Sequence, residues 1–188
     1  MALELVLVVS TLALSLALRP WRLLAGGRLL TPLLATLALL PWLWALPALL
    51  MLGWPLAIPV LCLTALLAAW IAPVGGSQAL GMATWLGVVP ATLALGLGAV
   101  LRRLLGTHPF IYVLGRAFLG SALCLFAAGL LRQWTGPALP GVASELTMVA
   151  RWLMAWGDAV VTGMLTAIFV AYRPQWLATW SDALYLRR

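Results

Sequence analysis

Residues 151–176 read R-W-L-M-A-W-G-D-A-V-V-T-G-M-L-T-A-I-F-V-A-Y-R-P-Q-W, an apolar run long enough for a helix to cross a bilayer. Ala155, Ala159, Gly163, Ala167 and Ala171 recur at every fourth position, a stripe of small side chains on which a second helix can pack closely. Asp158, Thr162 and Thr166 form a second row at the same spacing, about 100° round the axis from the first. An acid at that depth costs roughly 2.5–3.5 kcal/mol on insertion scales, so Asp158 is expected to face protein or water. Pro174 stops the helix, and Tyr172, Arg173 and Trp176 are interfacial anchors.

The rest of the chain has the same character. Of its 188 residues, 65% are hydrophobic and only 8% charged, and the mean hydropathy is +1.11. A soluble core of this size needs a charged shell that these residues cannot supply. The expected class is all-α: a polytopic transmembrane helical bundle forming one integral membrane domain over residues 1–188. All eleven basic residues are arginines, giving a net charge of +7. Most flank apolar spans, so they read as anchors to lipid headgroups, and nucleic acid is not an expected partner. Cys62 and Cys124 lie inside apolar runs and show neither metal spacing nor a disulfide framework.

About six spans are expected, at 2–18, 33–52, 55–72, 80–101, 109–131 and 144–172. The first lacks a basic n-region, and Arg19-Pro-Trp-Arg22 stands where a cleavage site would be, so it reads as a retained helix. Between 29 and 72, five prolines interrupt an uncharged run, divided here at Gly53-Trp54-Pro55. Pro41 and Pro47 make the second span either a bent packing helix or a broken helix lining a cavity. Residues 72–79 and 132–142 read as loops. Ser144 is a candidate N-cap, with Glu145 complementing the helix dipole. The small residues Gly120, Cys124 and Ala128 are the simplest partner for the stripe through Ala159, Gly163 and Ala167. The tail from Gln175 is amphipathic enough to lie on the membrane surface. Arginines are shared almost equally between the two sides, so their count does not orient the bundle.

Little here carries catalytic chemistry. The one histidine, His108, has no carboxylate or thiolate near it in sequence, and no metal site is expected. No G-x-S-x-G, H-E-x-x-H or Walker A pattern occurs, and four acids are too few for paired acid–base work. The reading is of a protein that is not an enzyme and needs no cofactor. Asp158 and Arg116 are the charges well inside spans. With antiparallel fifth and sixth helices they are offset by roughly 10 Å, so pairing requires tilt or a bridging water. Arg151 lies two turns from Asp158 on the same face. Asp158, Thr162, Thr166 and Arg116 therefore form either a polar lock between helices or a contact for a substrate or ion.

Residues 109–123, P-F-I-Y-V-L-G-R-A-F-L-G-S-A-L, and 157–186, which open G-D-A-V-V-T-G-M-L and pass through Y-R-P-Q-W, resemble the C-terminal half of CbiM-type permeases. M-L-G-W-P-L-A at 51–57 resembles the same branch. These permeases are the substrate-binding membrane components of energy-coupling factor (ECF) transporters for cobalt and nickel. The resemblance implies an ECF-like helical fold in the bacterial cytoplasmic (inner) membrane, with Asp158 at the position of a family acid. It also implies ATPase and coupling subunits as partners. The family's metal-binding members open Met-His-Ile-Pro-Asp-Gly, whereas this chain has Ala2 at the histidine position and Pro41 where a further histidine falls. No ligand histidine carries over. Two functions remain open: a binding or transport subunit for a metal or other small solute, or a structural subunit that has lost the ancestral metal site.

Overall fold

The computed structural model describes residues 1–21, 45–71, 75–135, 144–181 and 185. The first part of the span read at 33–52, with Pro41, lies outside them, as do the end of the tail and the side chains of Ser144 and Glu145. The described residues are helical, with no strand among them: α1 (Ala2–Ala17), α2 (Ala45–Leu52), α3 (Trp54–Ile71), α4 (Gly76–Leu104), α5 (Ile111–Thr135) and α6 (Ser144–Tyr172). Four of these, α3 to α6, contain windows long and apolar enough to cross a membrane. At 16 residues, α1 is about 24 Å long, short of a hydrocarbon core of about 30 Å. Large apolar side chains point outward on every helix from α3 to α6, among them Leu66, Val100, Leu114 and Met154. In water such a surface would aggregate, whereas in lipid it is the ordinary exterior.

The chain turns between α2 and α3 at Gly53, the residue expected there. Its φ of +74° is a conformation that glycine adopts without a steric penalty, and its N–H closes α2 onto Leu49 O at 2.8 Å. Pro55 follows in the first turn of α3, where its missing N–H costs nothing. α4 starts at Gly76, inside the stretch expected to be a loop, because Gly75 is extended and its carbonyl accepts the N–H groups of Gln78 and Ala79. α5 runs four residues past its expected end, and the Thr135 hydroxyl donates to Leu131 O at 2.8 Å in the added turn. α6 keeps the expected bounds, because Pro174 forces Arg173 out of the helical region, to φ −144°.

Two helices contain π-helical stretches, at Ala83–Val88 in α4 and Ile111–Leu119 in α5. Pro90 lies just beyond the first, where the ordinary helical hydrogen-bond register is already interrupted. The main core gathers Leu49, Leu52, Ile58, Val88, Ala91 and Tyr112 from α2 to α5. Hydroxyls inside the bundle are satisfied locally: those of Ser15, Thr84 and Ser121 each donate to a carbonyl of their own helix.

The described part of the tail departs from the expectation that it lies on the membrane surface. After a single 3₁₀ turn at Pro174–Trp176 it folds back onto the α2–α3 corner. Ala178 and Thr179 donate their N–H groups to Met51 O at 3.0 Å and Leu50 O at 3.3 Å. These are last-turn carbonyls of α2, which need partners from outside that helix. Leu177, Trp180 and Tyr185 are buried in the core beside Tyr112. Tyr112 Oη and Thr179 Oγ1 share a hydrogen bond of 2.7 Å.

Candidate functional site

Asp158 stands at the midpoint of α6, on the flank of its buried face and partly exposed. Ala155, Ala159 and Thr162 beside it are buried. Thr162 donates its hydroxyl to the Asp158 backbone carbonyl at 2.7 Å, and Thr166 donates to Thr162 O at 2.7 Å. The row expected from the spacing is therefore present, but its hydroxyl protons go to the helix itself. The Asp158 carboxylate has no hydrogen-bond or ion-pair partner among the described residues, where the ion pair found joins the Met1 amino group to Glu4.

Neither arginine considered as a partner reaches it. Arg116 lies across Gly98 of α4, with its Cζ 5.7 Å from the Tyr112 ring centroid. Arg151 lies along α5 instead: a Cβ added at Gly129 would stand 3.4 Å from its Cδ. The polar groups of the candidate site are thus not gathered into one cluster. Asp158, Thr162 and Thr166 remain together on α6, while Arg116 belongs to the α4–α5 seam.

The small-residue stripes also part company. Ala159 and Gly163 are buried, and a Cβ at Gly163 would come within 3.1 Å of the Phe118 side chain on α5. Ala167 and Ala171 are exposed. A Cβ at Gly120 would meet Gly115 O at 2.9 Å and Leu97 Cδ2 of α4 at 3.0 Å, and Ala128 packs with Trp85 and Val89 of α4. Cys124, from the same row, is buried too. The Gly120 row therefore closes on α4, and Gly163 closes on Phe118. Gly163→Leu is expected to destabilise by about 1–3 kcal/mol through overpacking, lowering the melting temperature of the solubilised protein by several degrees. Ala167→Leu, on the exposed part of the stripe, should leave it unchanged. Equal melting temperatures for the two variants would contradict the packing described.

One polar contact was not foreseen. Trp85 donates its indole N–H to Glu4 Oε1 at 2.9 Å, tying the start of α1 to the π-helical part of α4. Such a pairing across distant segments leaves no sequence signature beyond an acid and a tryptophan inside apolar runs. Among the described residues no group of three or more His, Cys, Asp or Glu side chains converges as a metal site would require. Calorimetry on the purified, untagged chain should accordingly detect no Co²⁺ or Ni²⁺ binding at micromolar affinity, and binding that tight would refute the expectation. No family model matches the chain, and no curated protein or solved structure matches it either.

Proposed function

We propose that this chain is a non-enzymatic, membrane-embedded binding subunit of an ECF-type uptake system for a metal ion or another small solute. Its bundle would have about six spans in the bacterial cytoplasmic membrane and resemble an ECF substrate component. The observation that carries the reading is Asp158, a carboxylate at mid-span with no hydrogen-bond or ion-pair partner among the described residues. An intramembrane acid is costly, and one left without a protein partner is best explained by a ligand, a cation or a proton that it serves. The resemblance of 109–123 and 157–186 to CbiM-type permeases supports the same reading.

A second reading is a structural subunit of a larger membrane complex. It is favoured by the bonding of the Thr162 and Thr166 hydroxyls to their own helix, which leaves fewer donors for a solute. Mild purification from native membranes separates the two. A binding subunit brings nucleotide-hydrolysing ATPase and coupling subunits with it, whereas a structural subunit brings a complex without them. Recovery with no ATPase partner at any detergent strength would refute the first reading.

A further inference from the structure

Two arginines meet at one glycine near the end of α4. Arg102 donates its Nε–H to Gly98 O at 3.2 Å. From α5, Arg116 lays its guanidinium over the same residue: a Cβ at position 98 would lie 2.7 Å from Nε, 2.9 Å from Cζ and 3.0 Å from Nη2. Any larger residue there would require the guanidinium to move. The π-helical stretch Ile111–Leu119 carries Arg116, and the buried Tyr112 ring one turn earlier gives the cation an aromatic partner at 5.7 Å. Three separate features thus hold this guanidinium in place.

What they hold it for is not another side chain. Nε and Nη1 of Arg116 are shielded from solvent and have no hydrogen-bond acceptor among the described residues. A guanidinium held with two donors unmet is unfavourable until an acceptor joins it. The geometry points to a phosphate-binding seat at Arg102 and Arg116, filled by the phosphate of an anionic lipid headgroup or by a free phosphate anion. Planar guanidinium donors match phosphate oxygens in pairs. Arg102 lies in the last turn of α4, and the exposed Leu104, Leu105 and Phe110 near it offer apolar surface to acyl chains. The inference does not rest on the reading of Asp158.

The test is a melting curve of the detergent-purified full chain with dioleoylphosphatidylglycerol, dioleoylphosphatidylcholine or inorganic phosphate added separately. The anionic lipid should raise the melting temperature by about 3 °C or more, and the zwitterionic lipid should not. Arg116→Gln and Arg102→Gln should each lose most of that rise through affinities weakened about tenfold or more, while Arg132→Gln, at the far end of α5, keeps it. A rise produced by inorganic phosphate and lost in the same two variants identifies the free anion as the source. The seat is overturned if neither phosphate source shifts the curve, or if the shift survives Arg102→Gln. Because the Arg102 side chain is exposed, that variant decides the matter even where Arg116→Gln fails to fold.

Discussion

Trp180→Ala should cost the fold roughly 3–5 kcal/mol and lower its melting temperature by about 10 °C. The indole is 8% exposed, stacks on Tyr185 at 4.6 Å and meets the Tyr112 ring edge-on at 4.9 Å. Removing it opens a cavity against Tyr112 and loosens the tail segment that supplies partners to Leu50 O and Met51 O at the end of α2. In a low-dielectric interior those carbonyls then lack a donor, and the penalty adds to the lost packing. Trp134→Ala is the control, because that indole is 81% exposed and supports no such contact. If the two variants melted alike, the tail would not be docked as described.

The tail also shows where sequence reading stops. Alternating tryptophans and small residues after Pro174 announce an apolar face, but that face fits a membrane surface as well as a protein groove. Only the free carbonyls of α2 decide the matter, and they lie more than a hundred residues away in the chain. α6, by contrast, was legible from end to end, because a proline and a long, largely apolar run define it locally. The Gly53 turn was legible for a similar reason: a glycine followed closely by a proline fits few other structures. Arg116 was readable in depth but not in direction. Its π-helical stretch changes the phase of the helix, so a wheel drawn at about 3.6 residues per turn does not fix which neighbour it meets. The same limit explains why Gly163 meets α5 as expected but at Phe118, while Gly120 turns towards Leu97 of α4.

Asp158 is the residue on which the proposed function turns. Its isolation from Arg116 and Arg151 removes the intrahelical and interhelical locks that its spacing allowed. Had it been paired, Asp158→Asn would have left a buried cation unmatched and destabilised the bundle. With no such partner, the amide should fold and assemble as the acid does, while any contact to a cation or proton is lost. Loss of a charge-assisted contact of this kind corresponds to about a tenfold drop or more in binding or rate. The decisive measurement sets assembly beside activity. The wild-type and Asp158→Asn chains are purified with their native partners, placed in vesicles and supplied with ATP and a panel of radiolabelled monovalent and divalent cations. The prediction is equal assembly and an equal melting temperature, with uptake of the transported cation reduced at least about tenfold in the variant. Equal uptake by both chains, or a variant that fails to assemble, would contradict a ligand-facing Asp158.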